Sequence, residues 1–429
     1  MLVKNSANLA PPKNTESTIM QRWHKVKKLK VRFRPYWHFA LYSLVQPLRL
    51  LPTTSKTLGP PQKLYESTAN WHKKAQIGSY KEIHPAHHFH PTPPITPDKT
   101  ISAHFAGLKH NLPPAYVAEI PDGRIWGNNG SIISPDDGLI ADISTEFTTE
   151  HSKFIPERNK HSIFRQFKLP PVIYIPGTVA ALSVSYGDVY YHWMLDLLPR
   201  IELLRRNNIN LNQIDKFVVN ATTAKFQKET LALLGIPETK IITSQTNSLL
   251  HIKADKLIVP SLPRQRGGSM PKWACEFLKK EFLTRANPNK NNQQERIYIS
   301  RGDAQHRRVK NEANLINYLN TLDFKSVTLN AMSVVEQAQL FSQAKVIVAP
   351  HGAGLTNIVF CNPKTKIVEF FSPNYIHPGY WRLSNQVDLE YYSLLGENQP
   401  LTPQTRPKTD NITLNLQTLA NLLKQANIN

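Results

Sequence analysis

Cysteine is scarce in this sequence, and long hydrophobic runs are missing. Only Cys275 and Cys361 occur among 429 residues, which excludes a disulfide framework and a four-thiolate zinc site. The mean hydropathy of −0.39 excludes a polytopic membrane protein. Residues 1–19 contain no apolar core of the kind that marks a signal peptide. We therefore expect a cytoplasmic protein.

Acidic residues are also few, and their shortage is uneven along the chain. The sequence has 52 Lys and Arg against 31 Asp and Glu, which gives a net charge of +21. Residues 1–100 carry 16 of the basic residues and only 4 acidic ones, so they hold +12 of that excess. A basic extension on a mildly basic body differs from a uniformly basic nucleic-acid binder. No specific nucleic-acid partner is expected.

The basic extension combines positive charge with aromatic side chains. Seven Lys and Arg lie between Arg22 and Arg34 with no acidic residue among them, and the apolar stretch Tyr36–Val45 follows. That stretch is half of the roughly 20 residues that span a bilayer. Residues 20–50 therefore suit peripheral contact with an anionic membrane, where each basic residue contributes about 1 kcal/mol. A solvated arm and nucleic-acid binding are the alternatives.

Residues 52–98 are rich in Pro, Thr, Ser and Lys, which is typical of an irregular linker. Four histidines cluster within this segment: His84, His87, His88 and His90. Clustered imidazoles can hold a metal, but no cysteine or paired carboxylate accompanies them, and the neighbouring prolines disfavour a rigid cage. We expect a structureless segment and no metal here.

The body of the chain shows an α/β pattern. Short strand patterns from about residue 115 give way to alternating strands and helices, and a second α/β run follows the polar linker 286–295. A length of 429 residues favours more than one domain. The predicted segments are an extension over 1–98, α/β domains over 99–286 and 287–415, and a closing helix over 416–429. Two such halves favour a ligand cleft between them.

The strongest local pattern joins the predicted strand 346–349 to a glycine-rich turn where a helix is predicted to begin. Glycines let backbone N–H groups approach an anion, and a helix N-terminus adds partial positive charge. The candidate anion-binding residues are His351, Gly352, Ala353, Gly354, Thr356 and Asn357. Asn357 stands where a third glycine would complete G-x-G-x-x-G, so the dinucleotide fingerprint is absent. A tight turn without a ligand is the alternative.

Two further features suit a bound nucleoside diphosphate. Glu369 lies in the next predicted strand, where a carboxylate can accept hydrogen bonds from both ribose hydroxyls. The chain after the predicted strand 296–299 offers hydroxyl and guanidinium groups for phosphate oxygens, at Ser300, Arg301, Arg307 and Arg308. Arginines stabilise a diphosphate whose charge grows as it leaves. A solvated basic loop is the alternative for this segment.

His192 and Asp196 lie four residues apart in a predicted helix over Tyr191–Arg206, so their side chains share one face. A carboxylate beside an imidazole raises its basicity and fixes its orientation. The pair can deprotonate an attacking hydroxyl, with either His192 or Asp196 as the base. A buried structural His–Asp pair is the alternative, because the surrounding side chains are apolar.

Taken in order, these motifs resemble glycosyltransferase family 61: His192-x-x-x-Asp196, Ile299-Ser-Arg301 with Arg307-Arg308, His351-Gly-Ala-Gly354 and Glu369. That family includes bacterial capsular-polysaccharide enzymes, plant xylan-decorating transferases and animal transferases of O-linked N-acetylglucosamine. The resemblance covers about residues 115–400. It implies a GT-B-like arrangement, in which two Rossmann-like domains face a central cleft. Residues 99–286 are then the acceptor side, and residues 287–415 bind the nucleotide sugar.

The resemblance also implies inverting transfer of a sugar from a nucleotide-sugar donor, expected to be UDP-linked. The expected acceptor is a hydroxyl of a glycan or lipid-linked glycan in capsular or other surface polysaccharide synthesis. The chain has no Asp-x-Asp pair, so neither a metal clamp nor a cofactor is expected, and arginines neutralise the diphosphate. A membrane-borne acceptor favours a location at the inner face of the membrane.

Two alternatives to this function stay open. One is a non-catalytic basic protein that binds an anionic membrane or nucleic acid through its extension. The other is a degenerate family member that binds the donor without transferring it.

Overall fold

The structure is a computed structural model that describes eight stretches of the chain. They are residues 59–98, 102–105, 110–146, 161–245, 250–264, 269–285, 294–397 and 407–429. The basic segment 20–50 and the linker residues 286–293 lie outside them, so the predictions about these segments stay predictions. Within the eight stretches no helix is long and apolar enough to cross a membrane.

The chain divides into two compact units. The first consists of Met1–Gln62 with Pro156–Val172, and its described part contains a 3-10 turn at Ser162–Arg165. The second consists of Lys63–Ile155 with Ile173–Asn429. All the strands and α-helices named below belong to the second unit.

The segment 63–89, predicted as part of an irregular linker, is folded, so that prediction is wrong for these residues. It forms β1 (Lys63–Tyr65), α1 (Thr68–Ala75), β2 (Ser79–His84) and β3 (His87–Phe89). Trp71 in α1 is completely buried, and the Ser67 hydroxyl caps this helix by accepting a hydrogen bond from the Asn70 N–H at 3.1 Å. β2 is largely exposed and shows no apolar alternation, so pairing with a distant strand makes it regular.

A ten-stranded mixed sheet occupies the N-terminal half of the second unit. The strands that follow β3 are β4 (His110–Leu112), β5 (Ala115–Pro121), β6 (Arg124–Trp126), β7 (Ser131–Ile133), β8 (Gly138–Ile140), β9 (Ile173–Ala181), β10 (Lys216–Val219), β11 (Ile241–Thr243) and β12 (His251–Pro260). The sheet order is β1-β8-β7-β6-β12-β9-β10-β11, β5 pairs with both β12 and β2, and β3 pairs separately with β4. β9, β10 and β11 are parallel to one another, which agrees with the alternation of strands and helices predicted for this part of the chain.

Besides α1, this half contains four α-helices and one irregular turn among its described residues. They are α2 (Tyr190–His192), a π-helical turn (Trp193–Leu197), α3 (Pro199–Arg206), α4 (Lys225–Leu233) and α5 (Lys272–Leu283), with 3-10 turns at Ala103–Phe105, Leu211–Gln213 and Glu238–Lys240. The sequence predicted one continuous helix where α2, the π turn and α3 occur.

The C-terminal half contains a five-stranded parallel sheet with intervening helices. Its elements are β13 (Arg296–Ile299), α6 (Glu312–Asn320), β14 (Lys325–Val327), α7 (Val334–Gln343), β15 (Val346–Pro350), a 3-10 helix (Ala353–Phe360), β16 (Lys366–Phe371), α8 (Gly379–Gln386), β17 (Glu390–Leu395), a 3-10 turn (Pro407–Thr409) and α9 (Leu416–Gln425). The predicted α/β class is confirmed. The predicted boundaries at 286/287 and 415/416 stay predictions.

The strand order of this parallel sheet marks a ligand site. The order is β14-β13-β15-β16-β17, so the connections run to opposite sides from β13 and β15. In open parallel sheets, ligands bind beyond the carboxyl ends of the strands where the order reverses. All five residues of β15 are buried, as expected for a central parallel strand. The residues that follow β13 and β15 are therefore brought to one edge.

An N-terminal segment covers the outer edge of the parallel sheet. Ile95 N–H donates to the Tyr391 carbonyl oxygen, and Ser393 N–H donates to the Ile95 carbonyl oxygen, both at 2.9 Å. The Trp381 indole N–H donates to the Thr92 carbonyl oxygen at 2.7 Å. Covering an edge strand satisfies its backbone groups and prevents pairing with other chains. The predicted irregular linker therefore completes the C-terminal sheet.

Substituting Trp71 tests whether α1 belongs to the core. Trp71→Ala should lower the free energy of unfolding by about 3–5 kcal/mol, because it removes a completely buried indole. Ile77→Ala is the control, since Ile77 is exposed and should change stability by less than about 0.5 kcal/mol. Urea denaturation followed by tryptophan fluorescence and circular dichroism measures both. Equal stability of the two variants would show that this segment is a dispensable linker.

Candidate functional site

His192 is the last residue of α2, and Asp196 lies in the π-helical turn that follows it. Leu198 N–H donates to the Trp193 carbonyl oxygen five residues back, at 3.0 Å. Pro199 follows and has no N–H to continue the α-helical pattern, which accounts for the wider turn. His192 Nδ1 lies 2.6 Å from Asp196 Oδ2, so the predicted pairing of these two side chains is present. Such π turns often occur at functional sites.

Asp196 has a second partner that sequence analysis missed. Arg264 Nε donates to Asp196 Oδ1 at 2.7 Å, and Arg264 Nη2 donates to Oδ2 at 3.0 Å. The Arg264 guanidinium also lies 5.1 Å from the centre of the Tyr191 ring. Burial opposes ionisation of Asp196, but Arg264 and His192 outweigh it and lower the pKa of Asp196 to about 2. Asp196 is therefore an ionised, fully engaged carboxylate.

Arg301 lies directly over Gly352 at the switch point of the parallel sheet. Arg301 Nη2 and Nε donate to the His306 carbonyl oxygen at 3.0 and 3.3 Å. A Cβ atom on residue 352 would lie 2.0 Å from Arg301 Nη1. Gly352 has an extended backbone with φ of −179°, so glycine is needed for this close approach and not for its dihedral angle. The sequence-predicted Arg301 and Gly352 are thus brought together.

Arg307 reaches the same place from a strained backbone position. Its φ of +56° lies in the left-handed region that non-glycine residues rarely adopt. Its Nε donates to the His351 carbonyl oxygen at 3.0 Å, and its Nη1 donates to the Lys408 carbonyl oxygen at 2.7 Å. The adjacent Arg308 is exposed. Arg301 and Arg307 therefore converge on the turn, and Arg308 is the arginine of the predicted set that remains on the surface.

A buried carboxyl group, that of Glu369, fixes the position of the His351 ring. Its Nδ1 lies 2.5 Å from Glu369 Oε1, and the Tyr391 hydroxyl donates to Glu369 Oε2. Burial raises the pKa of Glu369 well above its usual value. Burial, followed by Arg307 and Arg301, lowers the pKa of His351 to about 3. Both shifts favour the uncharged form of each group.

Sequence analysis predicts that the Glu369 carboxylate accepts hydrogen bonds from both ribose hydroxyls, which requires its oxygens to be accessible to a ligand. The side chain is completely buried, and both of its oxygens are bonded to protein groups. A carboxylate that binds ribose must present its oxygens to the ligand. In this structure Glu369 instead fixes the orientation of His351.

The helix predicted after the glycine turn is a 3-10 helix, and two of its predicted binding residues point into the core. Thr356 and Asn357 are completely buried. Asn357 Nδ2 donates to Gln337 Oε1, and Asn357 Oδ1 accepts from the Tyr190 hydroxyl, both at 2.7 Å. Asn357 thus links the glycine turn to the helix that carries His192. Ala353 and Gly354 at the helix start stay partly exposed.

Ser300 shapes the loop after β13. Its hydroxyl donates to Glu312 Oε1 at 2.9 Å and accepts a hydrogen bond from the Gly302 N–H at 3.1 Å. These contacts fix the direction in which the chain leaves the strand. Ser300 therefore positions Arg301 in this structure.

His377, which sequence analysis missed, lies between the two groups of residues. Its ring centre is 5.8 Å from that of His351, and its Nδ1 accepts a hydrogen bond from the Gly379 N–H at 3.3 Å. Burial, followed by the proximity of His351, Arg264 and other basic groups, lowers the pKa of His377 to about 3. Residue 377 follows β16 in an irregular loop, where no periodicity indicates which side chains meet.

Aromatic rings complete the connection between the two halves. The Tyr380 ring centre lies 5.4 Å from that of His351 and 5.5 Å from that of Tyr191. Tyr191 immediately precedes His192. The first sheet's His–Asp pair and the second sheet's arginine–histidine turn therefore share one aromatic wall.

Metal ligands are not clustered in the part of the chain that the structure describes. No group of three His, Cys, Asp or Glu side chains there is arranged to hold a metal ion. His84 stacks on Trp273 with ring centres 5.1 Å apart, and His88 Nδ1 bonds to Asn111 Oδ1 at 2.8 Å. The histidine cluster is thus part of the folded body. A requirement for metal stays untested, as does the expected absence of a cofactor.

Replacing Gly352 tests the close approach of Arg301. Gly352→Ala should displace the guanidinium and weaken binding of UDP, the nucleotide expected from the sequence, by about 10- to 100-fold, because a hydrogen bond to a charged group contributes about 1.5–3 kcal/mol. Gly302→Ala is the matched control in the same loop, since its added Cβ would meet its nearest neighbour at 3.4 Å. Isothermal titration calorimetry measures both affinities. Equal affinities would refute the assigned contact.

His377 gives a pH dependence of stability. Its pKa is about 3 in the folded protein and 6.5 in an unfolded chain, so the unfolded chain binds the extra proton between these values. Stability should therefore fall as the pH drops from about 6.5 towards 3, by up to about 1.4 kcal/mol per pH unit for this group. His377→Asn keeps an acceptor for Gly379 N–H and should flatten that slope. His87→Asn is the control, because His87 is exposed, and it should leave the slope unchanged. Urea midpoints at pH 7, 5 and 4 measure the pH dependence of stability of each variant. Equal slopes for the two variants would contradict the assignment to His377.

Comparison with known proteins adds an independent observation. Residues 190–368 match the family model Glycosyltransferase 61. Beta-1,2-xylosyltransferase RCN11 of Oryza sativa subsp. japonica is 36% identical over 63 residues, which are 15% of this chain and 12% of that protein. Beta-1,2-xylosyltransferase of Arabidopsis thaliana is 35% identical over 72 residues, which are 17% of this chain and 14% of that protein. The chain therefore aligns with only a small part of either relative. The matched range contains the His–Asp pair, the arginine loop and the glycine turn, so residues 190–368 are similar to glycosyltransferase family 61, in agreement with the resemblance of the sequence motifs.

Proposed function

We propose that the protein is an inverting glycosyltransferase that transfers a sugar from a nucleotide-sugar donor to a hydroxyl of a glycan. One observation carries the proposal: Arg301 and Arg307 converge on His351 at the switch point of a parallel sheet, facing the helix of His192. The family match supports transferase chemistry. The relatives' names, beta-1,2-xylosyltransferase, make a UDP-linked pentose the first donor to test.

The donor side is built for a diphosphate. Arg301 and Arg307 donate to backbone carbonyl oxygens, and neither forms an ion pair with a carboxylate among the described residues. Guanidinium groups in such a place attract phosphate oxygens and stabilise the charge that develops as the diphosphate departs. Backbone N–H groups at Ala353 and Gly354 add partial positive charge. These groups support our proposal that the arginines act where other transferases use a metal.

On the acceptor side we assign His192 as the base, and Asp196 as the residue that positions it. Both Asp196 oxygens are engaged, and its pKa of about 2 makes it a weak proton acceptor. When Nδ1–H donates to Asp196, the lone pair of the neutral imidazole is on Nε2. His192 then takes the acceptor proton while the new C1–O bond forms. The C1–O bond to phosphate breaks, and its electron pair leaves with the diphosphate.

We extend the proposal to the domain arrangement, the acceptor and the location of the protein. We propose a GT-B-like arrangement with the donor on the parallel sheet and the acceptor on the mixed sheet. The proposed acceptor is a surface glycan or lipid-linked glycan, with no cofactor. We place the protein at the cytoplasmic face of a membrane, with residues 20–50 as the basic surface.

Adjacent arginines provide a matched test of this function. UDP-xylose and UDP-N-acetylglucosamine are the first probes, and thermal shift selects the donor that stabilises the protein. Arg307→Ala should weaken binding of that donor by about 10- to 100-fold, because it removes charge-assisted hydrogen bonds. Arg308→Ala, at an exposed position, should keep the affinity within about twofold. His192→Ala should bind the donor normally and lose about 10²- to 10⁴-fold in transfer rate.

The outcomes separate the candidate functions. Stabilisation by no nucleotide sugar, together with steeply salt-dependent binding to anionic vesicles or nucleic acid, would favour the non-catalytic alternative. Donor binding without transfer in the unmodified protein would indicate a degenerate family member. Full activity of His192→Ala would refute its assignment as the base.

A further inference from the structure

An imidazole that the proposed mechanism does not use lies between the two sides of the site. The His377 ring centre is 5.8 Å from that of His351, which belongs to the glycine turn. A Cβ atom on Gly379 would lie 3.0 Å from His377 Nδ1 and 3.1 Å from the Tyr191 hydroxyl oxygen, so these two groups are close neighbours. Tyr191 immediately precedes His192, the proposed base. His377 therefore has the glycine turn on one side and the base on the other.

The contacts of His377 determine which of its ring nitrogens carries a hydrogen. Its Nδ1 accepts a hydrogen bond from the Gly379 N–H at 3.3 Å. The ring is uncharged at neutral pH, because burial and its basic neighbours lower its pKa to about 3. A neutral imidazole whose Nδ1 accepts carries its hydrogen on Nε2. Within the part of the chain that the structure describes, Nε2 bonds to no protein group and is not buried, so this N–H is available to a ligand.

The basic neighbours of His377 differ from those of His351. Burial and then the two arginines proposed to hold the diphosphate lower the pKa of His351. For His377, burial is followed by the proximity of His351 and then of Arg264, the partner of Asp196, and His192 also contributes to the lowering of the pKa. His377 is therefore displaced from the diphosphate side of the site towards the acceptor side.

The loop that carries His377 is held by contacts on either side of it. Within this loop the Tyr375 N–H donates to the Ser372 carbonyl oxygen at 3.0 Å. Asn374 Nδ2 donates to Asp410 Oδ2 at 3.1 Å and ties the loop to the C-terminal segment. A side chain on a loop fixed in this way can recognise a single group of a ligand, because its own position is defined by the surrounding structure.

We propose that the Nε2–H group of His377 donates a hydrogen bond to a hydroxyl of the transferred sugar. The inference deepens the proposed function and rests on it. The transferred sugar has to lie between the diphosphate and the base, because its C1 is bonded to the diphosphate before the reaction and to the acceptor oxygen afterwards. A sugar hydroxyl is uncharged and accepts a hydrogen bond from a neutral N–H, whereas a diphosphate is matched by guanidinium groups. His377 is thereby assigned to the sugar and not to the nucleotide.

Two substitutions at position 377 separate the ligand contact from the structural contact. The side-chain oxygen of Asn can take the position of Nδ1, so His377→Asn keeps an acceptor for the Gly379 N–H and loses the Nε2–H donor. The longer Gln side chain can place its amide N–H at the position of Nε2, so His377→Gln keeps the donor. His87→Asn is the control, because His87 is exposed. Circular dichroism checks that all three variants are folded.

The affinities of UDP and of a nucleotide sugar measure the contribution of His377 to sugar binding. The probe is UDP-xylose or UDP-N-acetylglucosamine, whichever stabilises the protein in the thermal-shift test. His377→Asn should weaken binding of that nucleotide sugar about three- to tenfold, as expected for loss of one hydrogen bond, and should keep the UDP affinity within about twofold. His377→Gln should recover most of the loss, and His87→Asn should change neither affinity. Isothermal titration calorimetry measures both ligands.

Monodeoxy analogues of the same nucleotide sugar identify the hydroxyl. Removal of the hydroxyl that His377 binds should weaken binding to the unmodified protein and have little effect on binding to His377→Asn, because the partner is already lost. If every analogue weakens binding to both proteins alike, the assigned contact is wrong.

The comparison of UDP with the nucleotide sugar also distinguishes failure of this contact from failure of the proposed function. Equal weakening of both ligands in His377→Asn would place His377 at the nucleotide and overturn the sugar contact alone. Unchanged affinity for the nucleotide sugar in His377→Asn would overturn it as well, and the transferase proposal would stand. Absence of any nucleotide-sugar binding by the unmodified protein would overturn both proposals.

Discussion

The site depends on guanidinium groups whose charge is met by backbone carbonyl oxygens. Arg301 and Arg307 donate to the carbonyl oxygens of His306, His351 and Lys408. A carbonyl dipole offsets only part of a full positive charge, so the glycine turn keeps a positive potential in a partly desolvated place. An anionic ligand relieves that imbalance. The strained backbone of Arg307 is consistent with it, because such strain persists where the surrounding structure holds a group in place for function.

The second constraint is the spacing between the two halves of the site. The glycine turn belongs to the parallel sheet, and His192 belongs to a helix of the mixed sheet. The hydrogen bond between Tyr190 and Asn357 joins these elements directly, and Tyr380 contacts both sides. In the inverting transfer that we propose, the base and the leaving group lie on opposite faces of the sugar, so their separation has to be fixed. Buried cross-links of this kind fix it better than exposed loops can.

The sequence predicted features that depend on neighbouring residues and missed those that depend on distant ones. β13 and β15 were predicted within one residue, because a short apolar run followed by a turn is a local pattern. Arg264 and His377 were missed because each meets its partners through irregular loops, far along the chain from them. The surroundings of Glu369 were not predicted for a related reason: one of its carboxyl oxygens accepts a hydrogen bond from Tyr391, in a strand that sequence analysis did not predict.

Groups with a permanent charge and groups that titrate lie in different parts of the site. Arginines stay protonated at every cellular pH, so attraction of a diphosphate does not vary with pH. His351 and His377 have pKa values of about 3 and therefore contribute hydrogen-bonding groups without charge at neutral pH. Asp196 stays ionised down to about pH 2 and can stabilise the imidazolium that forms when His192 takes a proton. In the proposed reaction, the charge that changes is thereby confined to the acceptor side, away from the arginines that would resist a second positive charge.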